Sequence, residues 1–264
     1  MSKLLPIAPQ SHAEMRWRRP SNFHFAAADH LMPLGLREVR KAAMGMPVGF
    51  IRLEEKFLLV SILGLRNGQS LVVEESGKWL AAHLPDAYLG FPFKMARLDA
   101  ERYQVCTEED SEFIAKAADL PADAKAWRPF FDDEGNIAEP VAELVKQMQR
   151  HATDLVAAER ATAQLAQYEL IRDWEIAAGD EDKPIQVKGL LTIDQERLGQ
   201  LDGEAMTTLR DCGALYLAYA QILSGHHMPS LLRLAQLRWK RPQTQELEFD
   251  ESPDTGNISF DNLL

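Results

Sequence analysis

The stretch GKWLAAHLPDAYLGFPFKMAR, residues 77–97, gathers Trp79, His83, Pro85, Tyr88, Phe91, Pro92 and Phe93 into one short run. An imidazole among large rings can act as an acid, a base or a hydrogen-bonding wall, so Trp79, His83, Tyr88, Phe91 and Phe93 are the candidate ligand-pocket residues. The same residues would equally form a stiff corner that closes a small sheet, because rings supply buried area at low rotamer cost. A lone histidine one helical turn from a tryptophan is more often a satisfied core group than a catalyst, and the corner is the plainer expectation.

The chain holds seven histidines, which raises metal chemistry next. His12-Ala13-Glu14 has the spacing of the His-x-carboxylate half of an iron facial triad, which His83 or His151 would complete. Two-residue motifs arise by chance in many proteins, and this one lies in a segment with no strand signal, so no metal and no cofactor is expected. His24 and His30 bracket FHFAAADH. Asp29 and His30, being adjacent, point different ways in regular structure, and hydrogen bonds to backbone carbonyls are the expected role of both histidines. His226-His227 follow Gly225 at a helix end, where a donor side chain satisfies stray carbonyls. There is no G-x-G-x-x-G, P-loop, G-x-S-x-G, C-x-x-C or H-E-x-x-H, which removes the common nucleotide, hydrolase and metalloprotease sites.

Several elements must position these residues. Leu34, Leu36, Val39, Ala42 and Ala43 predict a helix that Pro47 ends. PVGFIRL, KFLLVSILGL and SLVVEE, separated by Glu54-Glu55 and by Arg66-Asn67-Gly68-Gln69, read as β-runs, and FKMARLD with RYQVCTE forms a further hairpin turning at 99–101. Four or five strands are expected between 47 and 107. From Ala138 the period lengthens: Val141, Leu144, Val145, Met148, Ala152, Leu155, Val156 and Ala163 mark a helix of roughly 30 residues. IQVKGLLTI reads as one strand, with Asp194 capping QERLGQL. Residues 203–224 read as one helix with Leu209, Cys212, Tyr216, Tyr219 and Leu223 along one side, and Pro229 starts the last helix. The fold class is therefore α+β, an antiparallel β-meander of four or five strands with a largely helical C-terminal half. Its segments are a basic arm (1–32), a β-rich region with the aromatic corner (33–135), a helical region (136–241) and an acidic tail (242–264).

Charge is uneven. Against a total of −11, residues 1–50 carry seven Lys/Arg and three acids, while residues 242–264 carry six acids and no Lys or Arg. The acidic field disfavours nucleic acid and anionic lipid. The run Arg16-Trp17-Arg18-Arg19 reads as an exposed segment that pairs with the acidic body. Cys106 and Cys212, about a hundred residues apart, make no disulfide framework and point to a reducing compartment. No apolar run reaches the roughly 20 residues of a membrane span, and MSKLLPIAPQ lacks a signal-peptide core. Cytoplasmic residence is expected, with surface association open through a non-cleaved route.

FHFAAADHLMPLGLREV, PVGF, GLRNGQSLVVEESGKW, FPF after Pro85, FFDDEG at 130–135 and LYLAYAQILS at 215–224 together resemble the SapC family, in collinear order over most of residues 20–235. The sequence departs from the family pattern at Leu89-Gly90-Phe91 and at Gln69-Ser70. The resemblance implies a soluble bacterial protein named after a surface-layer protein, distinct from the peptide-transport permease that shares the name. It also implies neighbours among TonB-dependent receptors and flavoenzymes resembling tryptophan halogenases. It brings no catalytic residues. The reading is thus a non-enzymatic binding or assembly protein with a protein partner, linked to the cell-surface layer or outer-membrane uptake systems. The alternative is an enzyme or accessory subunit that acts with a flavin-dependent, tryptophan-halogenase-like partner, or an iron oxygenase. Apolar helix faces in the second half could close within the chain or against a second copy. The terminal Asp261-Asn262-Leu263-Leu264 resembles the uncleaved C-terminal signals of type I secretion, although a loose or self-docked end is the plainer reading.

Overall fold

Two β-rich runs on either side of Glu54-Glu55 fold back on each other, so that Val48–Leu53 pairs with Lys56–Ile62 from Val48↔Ser61 to Leu53↔Lys56. In the computed structural model, which describes residues 4–97, 103–108, 111–178, 185–239 and 246–247, this hairpin is the centre of a five-stranded sheet. The strand order is Ile171–Asp173, Leu191–Ile193, Val48–Leu53, Lys56–Ile62, Leu31–Pro33, with every neighbour antiparallel. Leu59, Val60, Ser61 and Ile62 are all buried, as in a strand covered on both faces. The chain divides into two compact units, a first that holds 4–21 and a second built from 22–85 and 153–247, and this sheet belongs to the second.

Helices complete that unit. Val39–Ala43 and Ala214–Ser224 pack on each other and on Val48–Leu53. Asp194 caps Gln195–Gly199 by accepting from the Arg197 N–H at 3.0 Å, as its position predicts. The expected 203–224 helix is two helices, Gly203–Asp211 and Ala214–Ser224, because Gly213 takes φ +80 between them. A Cβ on Gly213 would also lie 3.1 Å from Leu36. Apolar periodicity runs through this break, so the stripe alone did not show it. IQVKGLLTI is likewise divided. Gly189 at φ +85 separates Ile185–Val187 from Leu191–Ile193, and the two strands join different sheets. Ile185–Val187 lies between Ile176–Ala178 and a short parallel strand, Glu246–Leu247. Met228–Arg238 follows with Pro229 in its first turn, as expected. SLVVEE forms no strand, only an isolated bridge between Val73 and Trp79.

The other unit contains 4–21 and the described part of 86–152. Phe93–Arg97 and Tyr103–Glu108 form the second expected hairpin, extended by Leu4–Pro6 on the far edge of Tyr103–Glu108. Of the four or five strands expected between 47 and 107, four are present, as two hairpins in separate sheets, in an α+β chain whose C-terminal half is largely helical. Met15–Trp17 is the middle strand of a second three-stranded sheet, between Ile114–Lys116 and Arg128–Pro129. The Arg16–Arg19 run is therefore not an exposed segment. Trp17 is fully buried, with Phe93 edge-on at 4.9 Å and its indole N–H donating to the Pro129 carbonyl at 3.3 Å. Arg18 stacks over Phe113 and Trp127 at 5.4 and 5.2 Å and pairs with Glu112 at 3.7 Å. Phe130, Val141 and Leu144 complete this core.

The helix Glu139–Gln167, 29 residues long, fulfils the helical period read from Ala138. Its first part belongs to this unit and its remainder to the other. In the second unit Asp154 on that helix accepts from the Arg37 N–H at 3.0 and 3.1 Å. A Cβ on Gly35 would lie 2.1 Å from the same carboxylate, so the close approach requires glycine. Of the acidic tail 242–264 only Glu246–Leu247 is described, and the turn at 99–101 lies outside the described residues.

Candidate functional site

Within the second unit, the chain from Val72 to His83 makes a tight irregular loop. The Leu80 N–H donates to the Val72 carbonyl at 2.8 Å, the Glu74 N–H to Lys78 at 2.9 Å, and the Gly77 N–H to Glu74 at 2.8 Å. Gly77 takes φ +80 and sits so close to residues 22–24 that a Cβ would lie 2.8 Å from Asn22 and 2.9 Å from the His24 ring. Trp79 therefore faces Phe23, with ring centroids 5.6 Å apart, and its indole N–H donates to the His83 carbonyl at 2.8 Å. That bond turns the following residues back toward the helix Val39–Ala43. A Cβ on Gly45, just past the helix, would lie 2.7 Å from Ala82.

The imidazole then reaches a carboxylate. His83 Nε2 lies 2.8 Å from Glu38 Oε1, with the Glu38 side chain fully enclosed and that of His83 only 10% exposed. A carboxylate held away from water must be paired and hydrogen-bonded, and a charge-assisted bond to an imidazole N–H is about twice as strong as a neutral one. With Nε2 engaged by Glu38, Nδ1 is the ring's other polar atom. Such an arrangement can hold an imidazole in one orientation or move a proton. Glu38 carries no motif that would reveal it, because its partner lies 45 residues further along the chain.

The remaining aromatic candidates belong to the first unit. Tyr88 is buried in the turn Asp86–Gly90, and Phe91 meets Phe113 edge-on at 5.2 Å. Phe93 fills the core between Trp17 and Phe130, 4.9 and 5.7 Å away. The run 77–97 is thus shared by the two units, with Trp79 and His83 in one and Tyr88, Phe91 and Phe93 in the other.

The iron-triad candidates part in the same way. His12 is buried against Phe130, with Nδ1 2.7 Å from the Ser11 hydroxyl and Nε2 3.1 Å from that of Thr107, so both ring nitrogens are engaged. Glu14, two residues on, is exposed, and His83 is in the other unit. His151 lies on the helix Glu139–Gln167. His24 bonds the Glu75 carbonyl at 3.0 Å, the backbone role expected of it. His227 bonds the Ala43 carbonyl at 3.1 Å, so it caps Val39–Ala43 rather than the helix it follows.

A second feature of this unit is a surface. Ala214–Ser224 contains no charged residue; it buries Leu217, Ala218, Gln221 and Ser224, and exposes Tyr216 (44%), Tyr219 (49%) and Leu223 (64%). Beside it, Val39–Ala43 buries Val39 and Ala42, and Arg37, Arg40, Lys41 and Met44 are exposed. Both helices pack on each other and on the same strand. The amphipathic stripe names Tyr216, Tyr219 and Leu223 in the sequence, but not that they are the outer side.

The SapC family profile matches residues 7–231. The chain belongs to the SapC family. Comparisons with curated proteins and with solved structures each gave no match. Among the described residues of this SapC protein, no helix is long and apolar enough to cross a membrane.

Removing one partner of the Glu38–His83 pair should be far more costly than keeping its hydrogen bond. Glu38→Ala is expected to lose ~3–5 kcal/mol in chemical denaturation, whereas Glu38→Gln, which still accepts from His83, should retain most of it. Equal losses would show that the pair is not held by this bond. Burial also pushes His12 and His30 below their ordinary value of 6.5. The unfolded chain then takes up protons first, so stability should fall as pH drops below 6.5 toward the folded values. His12→Gln should flatten that slope in a denaturation series from pH 7 to about 5.

Proposed function

We propose that this SapC-family chain is a non-catalytic binding and assembly protein whose contact surface is the Tyr216–Tyr219–Leu223 side of Ala214–Ser224. What supports the reading is the exposure of two tyrosines and a leucine on one uncharged helix, with Arg40 and Lys41 on the helix it packs against and Arg37 just before that helix. Tyrosine and arginine are enriched among interface residues that dominate binding energy, and contiguous apolar exposure marks interaction sites. The partner is a protein that presents apolar groups among carboxylates, either another component of a cell-surface assembly or uptake system or a second copy of the chain.

Cytoplasmic residence is part of the proposal. Its support is the pair of free cysteines, of which Cys106 is buried with its thiol pushed up by that burial. A surface role would then run through partners, or through export by a route that cleaves nothing.

The test compares full-length tagged protein with the Tyr216→Ser/Tyr219→Ser/Leu223→Ser variant, both recovered from the native cells. An unchanged melting temperature with loss of one defined partner, or of self-association in light scattering, is expected. The same partners and the same mass for both proteins would reject the face.

A second reading keeps an enzyme or an accessory subunit of a flavin-dependent, halogenase-like partner, and the enclosed Glu38–His83 pair is the observation that favours it. Enclosed carboxylate–imidazole pairs are a recurrent element of acid–base sites. An iron oxygenase is the weaker form, since both nitrogens of His12 are engaged. Elemental analysis after anaerobic iron loading should find metal below about a tenth of an equivalent. Stoichiometric iron lost in Glu38→Gln would turn the assignment toward catalysis.

A further inference from the structure

The turn Arg66-Asn67-Gly68-Gln69 takes no part in the buried Glu38–His83 pair or in the exposed helix face, and it is the only place in the chain where asparagine is followed by glycine. Asn67 and Gly68 are both exposed, and the Gln69 N–H closes the turn on the Arg66 carbonyl at 3.3 Å. Gly68 takes φ +70, as the third residue of a type II turn requires, and a Cβ built there would meet nothing within 4 Å. Among the described residues the Gly68 N–H donates to no acceptor and the Asn67 side-chain amide bonds no group. We infer that Asn67 is a site of spontaneous deamidation to isoaspartate, and that the change loosens the end of the helix Met228–Arg238, which this turn holds.

The reaction draws only on water and on a proton acceptor from solvent. The Gly68 backbone nitrogen gives up its proton, attacks Asn67 Cγ and expels ammonia, which closes a succinimide ring. Water then opens the ring. Attack at the side-chain carbonyl leaves aspartate, and attack at the main-chain carbonyl leaves isoaspartate, in which the chain runs through the side-chain carbon. Glycine in the following position is decisive, because it has no Cβ to obstruct the attack and the widest backbone freedom to reach the reacting geometry. The other described asparagines lack both the glycine and the free amide. Asn22 is followed by Phe23, and its Oδ1 accepts from the His24 N–H at 3.2 Å. Asn136 is followed by Ile137, and its amide donates to Asp132 and Glu134, each at 3.4 Å. Asp202-Gly203 could close the same ring, but Asp202 Oδ1 is held by the Ala205 N–H at 2.8 Å as a helix cap.

The turn is also what fastens the end of the last helix. The Arg66 guanidinium lies 3.8 Å over the Trp239 ring, the Trp239 indole N–H donates to Gln69 Oε1 at 2.8 Å, and Arg238 Nη1 donates to the Ser70 carbonyl at 2.9 Å. Arg66 precedes Asn67-Gly68, and Gln69 and Ser70 follow it, so these groups meet the helix end together only while the turn keeps its span. Isoaspartate adds a main-chain carbon between residues 67 and 68. That spreads the Arg66 and Gln69 ends, which breaks the bond that closes the turn and with it the joint hold on Trp239. The new charge alone is tolerated, because the neighbouring Arg66 pairs with no carboxylate among the described residues.

Full-length protein kept at neutral pH, sampled over days, digested in mild acid and read by mass spectrometry with electron-transfer fragmentation tests both parts. Asn67 should convert at least about tenfold faster than Asn22 and Asn136 in the same samples, faster again at mildly alkaline pH, and chiefly to isoaspartate. The isoaspartate form, separated by anion exchange, should then show faster amide hydrogen exchange across 235–239 than fresh protein. Asn67→Asp, which carries the charge without the extra main-chain carbon, should exchange there like fresh protein. An Asn67 that stays intact, or that converts no faster than Asn22 and Asn136, would overturn the site. Isoaspartate with unchanged exchange across 235–239, or Asn67→Asp exchanging as fast as the isoaspartate form, would overturn its coupling to the helix.

Discussion

The side chains of Gln221 and Ser224 do for the central sheet what a longer neighbouring strand would do. Leu191–Ile193 meets Val48–Leu53 through the single register pair Leu191↔Phe50, which leaves backbone groups at the ends of both strands to be satisfied elsewhere. Gln221 Oε1 accepts from the Ile193 N–H at 3.0 Å and from the Thr192 hydroxyl at 3.1 Å, while its Nε2 donates to the Val48 carbonyl at 3.2 Å. Ser224 accepts from the Val48 N–H at 3.0 Å. Both residues are buried, so leaving those groups unpaired would carry a penalty of about 1–3 kcal/mol each. The rotation of Ala214–Ser224 about its axis is thereby fixed. Once Gln221 and Ser224 point at the sheet, Tyr216, Tyr219 and Leu223 have to point away. The exposed face is thus a consequence of how the sheet is completed, not a separate decoration.

A second enclosed polar contact organises the loop beneath the helix Val39–Ala43. Glu38 stands one residue before that helix with its side chain entirely out of solvent, and His83 Nε2 meets it at 2.8 Å. An unpaired carboxylate there would be costly enough to neutralise or to expel, and the imidazole makes the position tenable. The Trp79 indole bond to the His83 carbonyl holds the ring-bearing loop in register for that contact. Stability and any acid–base chemistry would use the same two atoms. This is why the cost of deleting the carboxylate and the cost of keeping its hydrogen bond must be measured apart.

Local signals in the sequence carried local structure well. The Glu54-Glu55 turn, the 29-residue helix, the Asp194 cap and Pro229 in the first turn of the last helix were all legible, because each depends on residues within a few positions of one another. The failures share a different cause. Gly189 and Gly213 interrupt runs whose apolar period is unbroken, and a single positive φ leaves no trace in periodicity. Trp17 stands among arginines, so its charge context hid a fully buried ring; the strand that buries it pairs with residues about a hundred positions away. Glu38 and His83 could not be matched by spacing at all. The run from Trp79 to Phe93 looked like one aromatic cluster because it is contiguous, yet the boundary between the two units falls at Asp86.

Net charge and local charge have to be weighed on different length scales. At physiological salt a fixed charge is screened over about 8 Å, so an approaching partner responds to the strongly acidic chain only until it nears the surface. At contact distance the groups it meets on Val39–Ala43 are Arg40 and Lys41, and on Ala214–Ser224 they are phenol rings and a leucine. A polyanion such as nucleic acid gains from the two cations but loses against the remaining acids along its length. A short segment that carries a few carboxylates between apolar groups gains from both and extends no further. At the proposed face, the same reasoning that disfavours extended anions favours a compact, peptide-like partner.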